Sequence, residues 1–136
     1  MGGLPSGETP KPRFRLQRTQ RIRKRAEFVR IQDSPVRVTT RHLLMLLALG
    51  EDSPPARLGV VASRKVGPSV VRSRAKRLVR EAFRLHPHIF PAGIDVVIIV
   101  RPGTHLLGLA DLAAEVIGAG PMLARRAREL AARARR

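Results

Sequence analysis

The residues best suited to do chemistry in this chain are the cations that crowd residues 57–84. Nine residues of this stretch are Lys or Arg, and Glu81 is its one acid. Lys76, Arg80 and Arg84 recur at every fourth position, and each like-charged pair at this spacing costs an isolated helix about 0.2–0.5 kcal/mol. A cluster of this density repels itself unless a polyanion lies against it. Because the planar guanidinium group of arginine matches phosphate oxygens, the pattern predicts phosphate binding.

The helix that carries these cations has two distinct faces at about 100° per residue. We predict that it begins at Pro68 or Ser69 and runs to about Leu85, where His86 and Pro87 stop it. One face is apolar and consists of Val71, Ala75, Leu78, Val79 and Ala82. The opposite face is almost wholly cationic and consists of Ser73, Lys76, Arg77, Arg80 and Arg84. Mixed charges would serve solubility equally well, so we favour an RNA-contacting face over a merely solvated one.

The acidic residues do not form the pattern that a metal-dependent nuclease needs, which is several converging carboxylates. Seven of the ten are scattered over predicted loops, the arginine-rich helix and distant segments, namely Asp33, Glu51, Asp52, Glu81, Asp95, Asp111 and Glu115. His86 and His88 are separated by Pro87 in a helix-ending loop, which favours a surface position over a metal pair. We therefore expect no catalytic residue and no metal ligand in this protein.

The composition supports a nucleic-acid partner. The chain of 136 residues has 27 Lys and Arg against 10 Asp and Glu, a net charge of +17, which is typical of nucleic-acid binders. It contains no cysteine, which excludes disulfides and thiolate chemistry and favours a cytoplasmic protein. The longest apolar runs, residues 43–49 and 96–100, fall far short of the roughly 20 residues that cross a bilayer, so no membrane association is expected.

The remaining pattern predicts one α+β domain over residues 21–136, preceded by a flexible basic arm over residues 1–20. Predicted strands cover residues 36–40, 42–49, 57–65 and 94–101, with a polar loop over residues 50–55. Predicted helices cover residues 23–32, 69–85, 109–117 and 121–134, the last two separated by Gly118-Ala119-Gly120. The strand, helix and strand between residues 57 and 101 form a βαβ crossover unit with parallel strands. The expected architecture is an α/β sandwich with a mixed central sheet packed with helices.

Four motifs in the cationic stretch resemble the signature of the bacterial ribonuclease P protein subunit. They are Arg57-x-Gly59, Ser63-Arg64-Lys65-Val66-Gly67, Ser69-Val70-x-Arg72-Ser73-Arg74 and Lys76-Arg77-x-x-Arg80-Glu81. The flanks agree, with a Phe-containing basic helix before the motifs and the strand Ile94-Asp95-Val96-Val97-Ile98 leading to Arg101-Pro102-Gly103 after them. The resemblance covers about residues 21–117 and implies a left-handed crossover, against the usual rule.

The resemblance implies a function. Proteins of that family bind the catalytic RNA and the 5′ leader of precursor tRNA, and they assist endonucleolytic removal of the leader. The catalytic centre and its Mg²⁺ would belong mainly to the RNA, and no obligate protein partner is evident. The predicted contacts to the catalytic RNA are Arg64, Lys65, Arg72, Ser73, Arg74, Lys76, Arg77, Arg80 and Arg84. The predicted contacts to the leader are Phe28, Arg41, Leu43, Leu46, Ser63 and Lys65.

The chain departs from the family pattern at two places. Ser73 replaces a usual asparagine, which weakens any specific polar or metal-water contact there. Gln32, Leu43 and Leu46 occupy positions where relatives often have aromatic rings. Because stacking on a base contributes about 1–3 kcal/mol, we expect leader binding here to depend more on charge and shape.

Other functions remain open at this point. A structural ribosomal or RNA-packaging protein would explain the charge and the arm, but not the ordered signature. A DNA-binding module would need a recognition helix with base-reading side chains, and an autonomous nuclease would need a metal site.

Overall fold

The regular elements follow the predicted order with one exception. The computed structural model describes residues 21–22, 25–50, 57–91 and 93–134, so the predicted arm over residues 1–20 and most of the predicted loop over residues 50–55 lie outside the described residues. The elements are α1 (Arg25–Gln32), β1 (Arg37–Thr39), β2 (Leu43–Leu49), β3 (Arg57–Ala62), α2 (Ser69–Leu85), β4 (Ile94–Val100) and α3 (Leu109–Ala134). Short 3-10 turns at Pro87–Ile89 and Thr104–Leu106 precede β4 and α3.

The strands form one mixed sheet in the order β1-β2-β4-β3. β2 is antiparallel to β1 and to β4, whereas β3 runs parallel to β4 with α2 as the crossover between them. β2 and β4 are apolar along nearly their whole length because both are inner strands, and most of their side chains are buried on one face or the other. The predicted α+β class with a mixed sheet is confirmed, and the left-handed sense of the crossover stays a prediction.

The helices α2 and α3 cover one face of the sheet and bury the larger of two cores. The rings of Phe83 on α2 and Phe90 lie 4.4 Å apart between centroids within this core. Alternate strand residues complete it, namely Val38, Leu43, Met45, Leu47, Leu58, Val60, Val96, Ile98 and Val100. Since two long helices occupy this face, the opposite face of the sheet is the one left for a ligand.

The opposite face is covered in part by α1. Ile31 is the buried residue of this helix, and it packs on the second, smaller core. The other buried members of that core are Ile22, Leu46, Ala48 and Val97. Because α1 has 8 residues, and therefore a length of about 12 Å, it shields a portion of the sheet and leaves the rest open.

The last helix is longer than the sequence predicts. Gly118, Gly120 and Pro121 predict a break, but α3 runs unbroken from Leu109 to Ala134. Pro121 removes one backbone N–H donor, and proline inside a helix costs about 3 kcal/mol. The buried positions nevertheless continue as one stripe across the proline: Leu112, Ala113, Val116, Ala119, Leu123 and Ala127. The prediction of two helices is wrong because burial of this stripe outweighs the local penalties.

β3 ends at Ala62, before the predicted end at Lys65. Residues 63–65 form an exposed turn toward α2 instead. Gly67, at the end of this turn, adopts φ +147°, and a β-carbon there would lie 2.9 Å from a methyl carbon of Val71. The glycine lets the chain turn sharply, which places the cations of the turn beside the start of α2.

A carboxylate fixes the turn before β2 against α3. Glu115 Oε1 lies 2.7 Å from His42 Nδ1, and Glu115 Oε2 accepts hydrogen bonds from the His42 backbone N–H, at 2.8 Å, and from the Thr40 hydroxyl. Burial raises the pKa of Glu115, but the hydrogen bonds from Thr40 and His42 lower it by more, so the pKa lies below its ordinary value. These contacts hold the turn that carries the exposed Arg41.

The substitution Glu115→Gln should lower the free energy of unfolding by about 1–2 kcal/mol near neutral pH. A carboxyl group whose folded-state pKa lies below its unfolded value stabilises the fold above the unfolded pKa, and this contribution disappears as the pH falls through the folded pKa. The difference between wild type and variant should therefore be full at about pH 6 and smaller at about pH 3. Urea unfolding at both pH values measures this difference, and a difference independent of pH would contradict the assignment.

Candidate nucleic-acid interface

Three of the predicted RNA-contacting residues lie together on the outer face of α2. Ser73, Arg74 and Arg77 are exposed and line a shallow depression of about 340 Å³. Arg74 Nε donates a hydrogen bond to the His105 carbonyl at 3.2 Å, which fixes this arginine beside the loop before α3. Arg77 has no hydrogen-bond partner within the described residues. The depression therefore offers a hydroxyl and guanidinium groups to phosphate oxygens.

The other predicted contacts to the catalytic RNA surround this depression or continue along α2. Arg64 and Lys65 are exposed in the turn before the helix, and Arg72 and Lys76 are half-buried on it. Arg84 Nε and Nη2 donate to the carboxylate of Glu81 at 2.9 and 2.8 Å. These hydrogen bonds lower the pKa of Glu81. The last arginine of the predicted row is therefore held in an ion pair within the helix.

Arg80 belongs to a different surface from Arg77. Its half-buried side chain lines a cleft of about 480 Å³ at the edge of β3, together with Arg21, Phe28 and residues 58–60. Burial and the charge of Arg21 lower the pKa of Arg80. Neither guanidinium group has a partner within the described residues. Two like charges that line one cleft without a counter-ion favour an anion there.

Phe28, the aromatic residue of this cleft, rests on a glycine of β3. A β-carbon at residue 59 would lie 2.6 Å from Phe28 Cε1, closer than real β-carbons come to other atoms. The absence of a side chain at Gly59 thus lets α1 approach the sheet and sets the position of the ring. Gly59 appears in the signature without an assigned role, and this close approach supplies one.

A buried ion-pair network holds α1 in this position, and sequence reasoning missed it. Asp95, 2% exposed, accepts hydrogen bonds from Arg57 Nε and Nη2 at 3.0 and 2.7 Å and from Arg30 Nη2 at 2.9 Å. Arg57 also pairs with Glu27 at 2.7 Å. The hydrogen bond to Asp95, aided by Glu27, raises the pKa of Arg57 despite burial. The available signal was a lone acid in the otherwise apolar strand β4.

A row of partly open residues crosses the same face of the sheet, one step along the strands from Gly59. Thr39, Leu44, Ile99 and Val61 are register neighbours on β1, β2, β4 and β3. Thr39 is exposed and the other three are half-buried. This row lies beside the cleft, on the face of the sheet that carries Gly59, and forms a largely apolar floor there.

Two residues predicted for the leader cleft lie in the core instead. Leu43 is fully buried on the opposite face, against the larger core, so its assignment to the cleft is wrong. Leu46 lies on the correct face but is 2% exposed within the smaller core, so its side chain is not accessible to a ligand. Leu44 is the leucine that borders the open surface. Side chains alternate between faces, so a one-residue error in register moves a side chain across the sheet.

The remaining predicted cleft residues lie at one end of the sheet. Arg41 is exposed in the turn before β2, and Ser63 and Lys65 are exposed in the turn after β3. Leu43 and Ala62, the neighbouring strand ends, both pair with Val100 of β4. The two turns therefore lie at the same end of the open row, beside the start of α2.

Candidate metal sites and membrane-spanning helices are both absent from the part of the chain that the structure describes. It contains no group of three or more His, Cys, Asp or Glu side chains that could hold a metal ion. The carboxylates of Glu27, Glu81, Asp95, Glu115 and Glu129 instead each lie within ion-pairing distance of an arginine or a histidine. No helix in the described ranges is long and apolar enough to cross a membrane.

Comparison with known proteins gives consistent matches. The family model described as Ribonuclease P matches residues 16–120. The ribonuclease P protein component of Desulfovibrio desulfuricans is 41% identical over 122 residues, which cover 87% of this chain and 91% of the relative. That of Syntrophus aciditrophicus is 37% identical, covering 74% of this chain and 84% of the relative. The solved RNase P protein from Thermotoga maritima has a TM-score of 0.64 at 26% identity, covering 72% and 92% of the two chains.

The substitution Gly59→Ala should displace Phe28 and lower the free energy of unfolding by about 1–3 kcal/mol, as overpacking does elsewhere. Gly118→Ala is the matched control, because residue 118 is exposed on α3 and a β-carbon there meets nothing within 4 Å. This control should stabilise the protein by about 0.5–1 kcal/mol, since alanine favours helix. Urea unfolding measures both effects, and wild-type stability of the Gly59 variant would argue against the close approach.

Proposed function

Because this chain belongs to the bacterial ribonuclease P protein family, we propose that it carries two separate RNA-binding surfaces, one for each RNA of the reaction. As a member of that family, it is a protein component of ribonuclease P and a partner of the ribonuclease P RNA. In our proposal, the outer face of α2 and the turn before it bind this RNA. The cleft beside Phe28 binds the 5′ leader of precursor tRNA, and the subunit thereby assists endonucleolytic removal of the leader.

The division of the cations between two surfaces carries the proposal. Arg74 and Arg77 line the depression on the outer face of α2, whereas Arg80 lines the cleft at the edge of β3. One helix thus lies between the two RNAs and contributes cations to both. Phosphate contacts of this kind position an RNA without reading its sequence, as expected for a protein that acts on many different precursors.

The shape and charge of the cleft suit an extended single strand. Its half-buried floor of Leu44, Ile99 and Val61 can accept the faces of unstacked bases, and Phe28 offers a ring for stacking. Arg80 and Arg21 then meet the backbone phosphates at the edge of β3. With a single ring among the described lining residues, charge contributes a larger share of the affinity than stacking, so binding should weaken steeply with salt.

We place the catalytic centre in the RNA. Five of the seven described carboxylates, which a protein nuclease would use to hold metal ions, are paired here with an arginine or a histidine, as in the Asp95 network. Mg²⁺ held mainly by the RNA would supply the charge stabilisation for phosphodiester hydrolysis. The cations of the protein reduce the repulsion between two polyanions that must come together. Since bacterial precursor tRNAs are made in the cytoplasm, we expect the complex to act there.

The leading alternative was a structural ribosomal or RNA-packaging protein, and the comparisons favour ribonuclease P instead. No set of described residues supports a DNA-binding module or an autonomous nuclease. Ser73 is exposed on the depression of α2. Its contact to the RNA or to a metal-bound water stays a prediction.

The first test of this function is reconstitution with a bacterial ribonuclease P RNA and a precursor tRNA at low Mg²⁺. Adding the full chain should accelerate leader removal at the mature 5′ end, because its cations replace part of the screening that Mg²⁺ provides. An Arg74→Gln/Arg77→Gln variant should require a higher protein concentration for the same rate. Cleavage rates from gels measure both effects. If wild-type protein changes neither cleavage nor precursor affinity, the proposed function is refuted.

The second test separates the two surfaces. Arg80→Gln should reduce the affinity for precursor with a leader about threefold to tenfold, and leave the affinity for leaderless tRNA unchanged. Arg77→Gln removes the same charge from the outer face of α2, so it should weaken binding to the ribonuclease P RNA and leave the leader-dependent difference unchanged. Titrations of holoenzyme with both tRNAs measure these affinities. Equal effects of the two substitutions on the leader-dependent difference would show that Arg80 has no separate role.

A further inference from the structure

The last turns of α3 lie beyond the part of the chain that the family model matches. The match ends at residue 120, whereas the helix continues to Ala134. Residues 121–134 contain four arginines, no lysine and one acid, Glu129. The proposed function uses none of these residues.

This segment is a packed part of the domain. Leu123 is fully buried and Ala127 is 9% exposed in the larger core, and Leu130 packs against the same core. These positions follow each other at helical spacing on the inner side of α3. The packed core therefore holds the backbone of the outer positions in place, so binding a partner would order their side chains without having to order the helix.

The outer positions of the segment present unpaired positive charge. Arg125, Arg128 and Arg133 are exposed, and none has a hydrogen-bond or ion-pair partner within the described residues. Arg126 differs, because its Nη1 donates to both carboxylate oxygens of Glu129 at 3.0 and 3.1 Å. Glu129 therefore neutralises the half-buried Arg126, whereas the three exposed arginines keep their full positive charge.

The end of α3 shares one groove with α1. Arg133 and Leu130 line a groove of about 470 Å³ together with Arg30, Asp33 and Leu49. Arg30 is already engaged with Asp95 at 2.9 Å. Arg133 is therefore the free cation of this groove among the described residues that line it, and it lies beside the helix that forms the leader cleft.

We propose that Arg125, Arg128 and Arg133 form a third RNA-binding surface, which contacts backbone phosphates outside the two surfaces described above. This inference rests on the proposed function, because the RNA is one of the two that ribonuclease P brings together. Exposed arginines without lysine on a rigid helix match phosphate oxygens, and their mutual repulsion is relieved when a polyanion covers them. Ribonuclease P RNA and precursor tRNA both present a phosphodiester backbone, and the experiment distinguishes which of the two RNAs these arginines contact.

The experiment compares full-length wild type with Arg125→Gln/Arg128→Gln, and with the matched single variants Arg128→Gln and Arg126→Gln. Affinity is measured over a range of salt concentrations for ribonuclease P RNA alone and, with holoenzyme, for precursor tRNA. The double variant should lose about fivefold in affinity for one of these RNAs, and its salt slope should fall by about 1.5, as expected for two lost phosphate contacts. Arg128→Gln should show about half of that change in slope and Arg126→Gln none. The RNA whose affinity falls identifies the source of the phosphates.

Circular dichroism and urea unfolding should show wild-type helix content and stability for the Arg125 and Arg128 variants, as expected for exposed positions. They also measure any loss of stability in Arg126→Gln, which removes the ion pair with Glu129. If the double variant binds both RNAs with wild-type affinity and salt slope, or if Arg126→Gln has the same effect as Arg128→Gln, this inference is overturned. These outcomes leave stimulation of cleavage by wild type intact, so they differ from failure of the proposed function, in which wild type itself does not stimulate cleavage.

Discussion

The buried carboxylate of Asp95 is the interaction on which the rest of this structure depends. It is 2% exposed in an otherwise apolar strand, where an uncompensated charge costs several kcal/mol. Its oxygens are satisfied by Arg57 from β3 and by Arg30 from α1, so the edge strand and the first helix must both be in place for the charge to be tolerated. Glu27 adds a further link from α1 to Arg57. Ile31 is the buried residue of α1, so its packing and the ion pairs together hold this helix on the sheet.

The position of α1 explains why this domain has a cleft at all. The two long helices, with 17 and 26 residues, cover one face of the sheet, while α1 covers the other with 8. The ion pairs hold α1 over one end of that face, and Gly59 lets it settle close enough for Phe28 to reach the strand. Among the described elements, no further helix covers the rest of this face. The concave surface is thus a product of unequal coverage, with charge at its edge and apolar residues on its floor.

The sequence contains enough information to predict α2 and the mixed sheet, but not the details of the cleft. The bounds of α2 are predictable because Pro68 opens it and a proline follows its end. The register of β2 is not, since an apolar run that is covered on both faces has no alternation that would distinguish Leu43 from Leu44. The continuity of α3 depends on tertiary burial, which overrides its internal glycines and proline. A helical wheel places Arg80 on the same face of α2 as Arg77. Their assignment to different surfaces depends on the edge of the sheet, which a wheel does not show.

β3 is an edge strand of the sheet. Among the described residues, the outer side of this strand is paired through Arg21 and Ile22, whose N–H donates to the Leu58 carbonyl at 2.8 Å. An edge strand with free backbone groups invites pairing with the same strand of another molecule. Here Arg21 and Arg80 flank the edge, so two copies that approached through β3 would bring like charges together. We therefore expect the same cations to disfavour edge-to-edge pairing of two copies of this chain.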